Sequence, residues 1–171
     1  MPLRRAHIQV TTSDVLEVFV GAVIRTRRPL QRLTLVTPWI SYVDGGPLSR
    51  LLRRAARDDA AVVLVTRSAR AGSHAAAIDA VRGCRGGSVL VNPRLHAKLY
   101  VCEEVGGPGF AVIGSANMTS HSAHMDELGV MIRPTGLTPL IPRLARTSVS
   151  QLAGRRKAGG WSRTARQRRL G

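Results

Sequence analysis

Two short polar patterns, each joined to an apolar segment, constrain the fold of this chain more than any other feature. Residues 95–119 read LHAKLYVCEEVGGPGFAVIGSANMT, which places His96 and Lys98 two apart and Ser115 and Asn117 two apart. In a β-strand, residues two apart point to the same face. The sequence therefore predicts two neighbouring strands whose polar ends bring together an imidazole, an ammonium, a hydroxyl and an amide.

This set of groups suits a phosphate. Lys98 offers a fixed positive charge, Ser115 and Asn117 offer hydrogen-bond donors, and His96 can act as a nucleophile or carry a proton. A single histidine on a strand is more often a packing or surface residue, and a single G-S-x-N is more often a turn. Both patterns together, each beside an apolar run, favour one phosphate site.

The two patterns resemble the signature of the phospholipase D superfamily, H-x-K followed by G-S-x-N. Glu127, in DELGVMI, occupies the position where that family often has an acidic residue. The family also has an aspartate five residues after the lysine, and this sequence departs from it with Glu103. The following gap is longer than the family pattern implies, which predicts a longer hairpin through residues 106–109.

The resemblance implies a metal-independent phosphodiesterase without a cofactor. Family chemistry uses two histidines on opposite sides of the phosphorus, one forming a phosphohistidine and the other protonating the leaving oxygen. The sequence contains one H-x-K and one G-S-x-N, so the resemblance implies a homodimer in which both copies of His96 meet. Lys98 and Asn117 would hold the phosphate oxygens, Ser115 would add a donor, and Glu127 would fix the imidazole tautomer or lie in solvent at a strand end.

The charge of the chain indicates a polyanionic partner. Lysine and arginine number 26 against 10 acidic residues, a net charge of +16. The sequence has neither an apolar run long enough to span a membrane nor an apolar signal region at its N-terminus, so we expect a cytoplasmic protein that binds nucleic acid rather than a membrane. DNA is favoured over RNA, although bulk charge does not separate them.

Further residues are predicted to contact nucleic acid. Trp39 follows an apolar segment near the expected mouth of the site, where it would stack on an exposed base or cap the edge of the core. Arg94 would extend the phosphate-binding surface or be an ordinary surface residue. Residues 152–171 read as a flexible basic tail after a domain of residues 1–151, and Arg155, Arg156 and Lys157 would anchor it to a phosphate backbone or only aid solubility.

The remaining patterns predict an α/β fold in which a mixed β-sheet is flanked by helices, as a single-motif phospholipase-D-like domain implies. Helices are predicted over 13–26, 47–57, 73–83 and 136–151, and strands over 33–40, 61–67, 88–91, 96–102, 110–115 and 127–133. His121 and His124 lack the accompanying ligands of a metal site, so no metal is predicted.

Two other functions compete with a nuclease. One is a catalytically weak or inactive nucleic-acid-binding module, which Glu103 and the longer hairpin leave open. The segment after the motif also resembles phospholipase-D-like proteins of prokaryotic restriction and phage-defence operons, which implies a subunit of a larger complex. The other is a phospholipid hydrolase or transferase. The sequence disfavours this function, because it has neither a marked amphipathic helix nor a large apolar insertion.

Overall fold

The computed structural model of the protein describes residues 6–12, 14–69, 71–119 and 125–152. The strands and helices of this part are β1 (Ala6–Thr11), α1 (Val15–Arg25), β2 (Leu30–Val36), α2 (Pro47–Arg57), β3 (Ala61–Thr66), α3 (Gly72–Arg82), β4 (Gly87–Val91), β5 (Leu99–Glu104), β6 (Phe110–Gly114), β7 (Gly129–Pro134) and α4 (Leu140–Leu152).

The strands form one mixed sheet in the order β1-β7-β6-β5-β2-β3-β4. β2, β3 and β4 are parallel and are joined through α2 and α3, because a parallel connection needs a crossover. β5 runs antiparallel to β2, and β6, β7 and β1 continue the antiparallel half. The mixed sheet predicted from the sequence is therefore confirmed.

Helices cover both faces of the sheet, as predicted. Side chains of α1, α2 and α3, among them Phe19 and Leu51, pack with Tyr100 of β5 in the larger core. α4 packs on the opposite face, where Ile141 joins Val101 in a smaller core. Within the described residues, no helix is both long and apolar enough to cross a membrane.

The predicted elements occur, with some changes at their ends. α2 has the predicted bounds, and the β5–β6 hairpin turns through Gly106 and Gly109, whose φ angles of 61° and 64° favour glycine. β5 begins at Leu99, so His96 and Lys98 lie in the segment just before the strand and not within it. β1 is an additional strand that the sequence analysis did not predict.

The register of the strands brings one set of ends together. Leu99, the first residue of β5, pairs with Val36 at the end of β2 and with Ile113 near the end of β6. Gly114 pairs with Gly129, the first residue of β7. One edge of the sheet therefore carries the segments that leave β2 and β6 and the segments that enter β5 and β7. We call it the site edge.

Candidate functional site

The two halves of the motif are adjacent at the site edge. His96 is exposed and Lys98 is half-buried in the segment that enters β5. The Gly114 N–H donates to the carbonyl oxygen of Lys98 over 3.3 Å, which joins the segment before β5 to the segment after β6. Ser115 and Asn117 follow directly on β6, so the four polar residues of the motif occupy neighbouring chain segments.

Ser115 and Glu127 form a hydrogen-bonded pair between β6 and β7. The hydroxyl of Ser115 donates to Oε2 of Glu127 and accepts from the N–H of Leu128 over 3.0 Å. The backbone repeats the connection, because the Ser115 N–H donates to the Leu128 carbonyl over 2.9 Å. The single hydroxyl proton of Ser115 is thus directed to the carboxylate, and this arrangement suits Ser115 to positioning Glu127 more than to donating to a phosphate.

Thr37, which the sequence analysis did not single out, connects the end of β2 to the second half of the motif. Its side chain is fully buried, and Oγ1 donates to the Trp39 carbonyl over 2.8 Å and lies 3.4 Å from Oδ1 of Asn117. The N–H of Met118 donates to the same hydroxyl over 3.3 Å. Residues 37–39 and 117–118 are therefore held as one unit at the site edge.

Tyr100 supports the same loop from below. Its buried hydroxyl donates to the carbonyl oxygen of Ala116 over 2.7 Å, and burial raises the pKa of the phenol well above its ordinary value. The phenol therefore remains a neutral donor at all physiological pH values, and it fixes the backbone between Ser115 and Asn117.

Trp39 lies beside the motif in a cluster with Arg67 and His74. The indole is 50% exposed, the Arg67 guanidinium carbon lies over its ring at 5.4 Å, and the His74 ring meets it edge-on at 5.8 Å. Arg67 Nε donates to the carbonyl oxygen of Leu95, next to His96, over 2.8 Å. A ring nitrogen of His74 lies 3.1 Å from Oγ1 of the buried Thr66, and burial lowers the pKa of this imidazole.

Arg94 and Glu103, two further residues singled out from the sequence, lie in different environments. Arg94 is exposed two residues before His96, and its N–H donates to Oδ1 of Asn92. Glu103 lies near the opposite end of β5, buried, with Oε1 3.8 Å from Nη1 of Arg32. Burial raises the pKa of Glu103, while the nearby Arg32 and Arg146 oppose the rise. The departure from the family aspartate therefore falls away from the site edge.

The remaining predicted residues fall outside the described residues: Arg155, Arg156 and Lys157 of the basic tail, and His121 and His124 after the motif. Within the described ranges, no three His, Cys, Asp or Glu side chains are grouped closely enough to hold a metal ion. The supporting residues Thr37, Thr66, Arg67, His74 and Tyr100 carry no local motif, because their contacts come from distant parts of the sequence.

Comparison with solved structures finds known proteins of similar architecture. The chain is similar to Nuc from Salmonella typhimurium, a phospholipase D family member, with a TM-score of 0.62 and 15% identity over 86% of this chain and 92% of Nuc. The chain has the phospholipase D fold. NucT from Helicobacter pylori is similar to the same degree, with a TM-score of 0.62 and 12% identity over 86% of this chain and 96% of NucT.

A third solved structure is similar to this chain, but the similarity covers a smaller part of that protein. TrmBL2, described as an archaeal chromatin protein with a novel mode of DNA binding, has a TM-score of 0.52 and 7% identity over 87% of this chain and 53% of TrmBL2. No protein-family model matches the sequence, and no curated protein sequence matches it.

Proposed function

We propose that the protein is a metal-independent phosphodiesterase that hydrolyses nucleic acid, preferentially DNA, through a phosphohistidine in a homodimeric active site. One observation carries the proposal: the segment with His96 and Lys98 adjoins the segment with Ser115 and Asn117 at one edge of a phospholipase D fold, joined by the hydrogen bond between Gly114 and Lys98. Imidazole, ammonium and amide side chains carried on these adjoining segments would supply a nucleophile, a charge and a donor for a phosphate diester.

The reaction divides into two displacements at phosphorus. His96 of one subunit forms the N–P bond as the bond from phosphorus to the leaving oxygen breaks, and the partner's His96 protonates that oxygen. The partner's His96 then accepts a proton from water, which attacks phosphorus and releases His96. Lys98 and Asn117 hold the non-bridging oxygens and stabilise the charge that develops there.

Glu127 is proposed to orient an imidazole and to hold it in the tautomer that the attack requires. The hydrogen bond from the Ser115 hydroxyl supports this role, because it ties the Glu127 carboxylate to the segment that directly follows β6. Ser115 is accordingly assigned as a positioning residue. Lys98 and Asn117 are the residues proposed to contact the phosphate directly.

An uncovered apolar face supports the dimer. Val10 of β1, Val130 of β7 and Ile113 of β6 form one row across the sheet, and Val10 and Ile113 are 61% and 43% exposed. This row borders the site edge, because Ile113 precedes Gly114 directly. Ile8, 69% exposed, extends the patch. A second copy packed here would bury apolar surface and bring the two copies of His96 towards one axis.

Nucleic acid is the proposed substrate because of the excess charge. At least six of the ten acidic residues form ion pairs with arginine, namely Glu17, Asp44, Asp58, Asp59, Asp79 and Glu103. The net charge of +16 still leaves many arginines for a phosphate backbone. Arg94 and the group of Arg155, Arg156 and Lys157 are proposed to contribute such contacts.

A second candidate function is a nucleic-acid-binding subunit that keeps the fold without useful turnover. The observation that favours it is the similarity to TrmBL2, whose description is of DNA binding by a chromatin protein. On this alternative the protein would work inside a larger complex, including one of the defence type.

The two functions are separated by incubating the purified protein with single- and double-stranded DNA in EDTA, beside His96→Ala. Hydrolysis by the wild type and loss of about 10⁴-fold or more in the variant, with DNA binding retained, would support the phosphodiesterase. Equal hydrolysis by both proteins would exclude His96 as the nucleophile. Tight binding without hydrolysis by either protein would favour the binding subunit.

A further inference from the structure

Trp39 has a setting that packing alone does not explain. It is a large aromatic side chain with half of its surface exposed, at the site edge, on the segment that leaves β2. Exposure of an indole forfeits the free energy that burial would give it. A tryptophan that served only to cap the core edge would be expected to turn its ring into the core, as its neighbour Ile40 does at 2% exposure.

The ring is nevertheless held firmly from several directions. Arg67 covers it at 5.4 Å, and His74 abuts it at 5.8 Å while its own ring contacts Thr66. The backbone of Trp39 is fixed because its carbonyl accepts from the buried Thr37. An exposed ring held by a cation, an imidazole and its own backbone is a preorganised surface, so a ligand that stacks on it costs little further ordering.

The same contacts tie this surface to both halves of the motif. Arg67 reaches the carbonyl of Leu95, which precedes His96, and Thr37 lies within 3.4 Å of the Asn117 amide oxygen. Because Trp39 and both halves of the motif lie along the site edge, one ligand that spans them would place a flat group on the ring and a phosphate at His96 and Asn117. The flat group closest to a phosphate in a nucleic acid is a base of an adjoining nucleotide.

We infer that Trp39, with Arg67 and His74 as positioning residues, forms a base-stacking subsite that selects nucleic acid with an unpaired base beside the scissile phosphate. A base inside a duplex has its faces covered by its neighbours, and withdrawing it costs a few kcal/mol. A single strand offers the base without that cost, and stacking on an aromatic ring is tolerant of sequence. This inference rests on the proposed function, and it specifies the form of the substrate.

Trp39 itself can report the contact, because the chain has only one other tryptophan, Trp161. In a Trp161→Phe, His96→Ala protein, we expect single-stranded oligonucleotides to quench the remaining indole fluorescence. A duplex of the same length and a single strand with abasic sites should bind through their phosphates and quench it far less. Equal quenching by abasic and ordinary strands would overturn the inference, as would the absence of any quenching on binding.

Variants test the same subsite through their binding affinity. Trp39→Leu should lower the affinity for a single strand about tenfold or more, whereas Trp39→Phe keeps a ring and should retain most of it. Arg67→Gln should weaken single-strand binding more than Arg85→Gln, which removes one charge from a fully exposed arginine at the opposite end of the sheet. Duplex affinity should change little in the Trp39 variants, and unchanged single-strand affinity in Trp39→Leu would refute the subsite.

The failure of the subsite can be told from the failure of the proposed function. Metal-independent hydrolysis that requires His96 but is unaffected by Trp39→Leu would refute the subsite and leave the phosphodiesterase standing. Quenching that depends on an unpaired base, without hydrolysis by the protein that retains His96, would leave the subsite standing and refute the phosphodiesterase. Absence of binding to every nucleic acid would refute both.

Discussion

At the scale of single residues, the proposed site combines side chains assigned to the phosphate with side chains that hold other residues in position. Ser115 donates to Glu127, and the Leu128 N–H donates to Ser115. Removal of either side chain of the pair should free the other from its fixed position. The two residues should therefore act as one unit and not as two independent contributions.

This coupling gives a prediction for a double-mutant cycle. Ser115→Ala and Glu127→Gln should each lower kcat about tenfold to a hundredfold, and the double variant should be little worse than the poorer single variant. Steady-state hydrolysis of an oligonucleotide in EDTA measures the three values. Asp126→Asn, the exposed neighbour, is the matched control. Fully additive losses would show that Ser115 acts on the substrate separately from Glu127.

At the scale of elements, the glycine of the G-S-x-N pattern is required by packing between strands. A Cβ on Gly114 would lie 2.6 Å from the carbonyl oxygen of Leu128 and 3.0 Å from the Cα of Gly129. Both neighbours are backbone atoms of the paired strand, so the strain cannot be relieved by a side-chain rotation. The glycine thus lets β6 and β7 approach closely where Ser115 and Glu127 meet.

Gly114→Ala should consequently lower the free energy of unfolding by about 1–3 kcal/mol. Urea titration followed by circular dichroism measures this change. Gly83→Ala, at the end of α3, is a suitable control because a Cβ there meets its nearest atom at an ordinary 3.4 Å and φ is −73°. Equal stability of the two variants would contradict the packing argument.

The contact between His74 of α3 and Thr66 of β3 makes the stability of the fold depend on pH. Burial lowers the pKa of His74 below its ordinary value of 6.5, so the unfolded chain takes up a proton first as the pH falls. The contribution of His74 to stability is therefore complete above pH 6.5 and is lost as the pH falls through the folded pKa. Thermal unfolding between pH 8 and pH 5 should show a smaller decline in His74→Gln than in the wild type, and an equal decline in both proteins would contradict this dependence.

The sequence predicted the elements whose patterns are local and apolar, and it predicted the polar residues at their ends. β1 was missed because it is short and precedes the first long apolar run, although the alternation of Ala6, Ile8 and Val10 with His7, Gln9 and Thr11 could have predicted it. Thr37, Arg67 and His74 were missed for another reason: each acquires its role from a partner far along the chain. Such partners are set by strand register, which the sequence analysis did not derive.

At the scale of the whole molecule, the exposed row of β1, β7 and β6 is the surface proposed to join two chains. The row lies beside the site edge, and Val10 on β1 is exposed without belonging to the proposed active site. A charge at this position should therefore disfavour association of two copies while leaving each copy of His96 intact. Val105, 53% exposed in the β5–β6 turn at the other end of the sheet, provides a control for the same change.

Val10→Asp should convert a dimer to a monomer in sedimentation analysis and lower hydrolysis more than a hundredfold, because a single His96 cannot both attack and protonate the leaving oxygen. Val105→Asp should leave both the dimer and hydrolysis unchanged. The loss in Val10→Asp should also diminish at high protein concentration, since mass action restores the dimer. A monomeric Val10→Asp protein with full activity would require the acid to come from within one chain, and the two-histidine reaction across an axis would then be wrong.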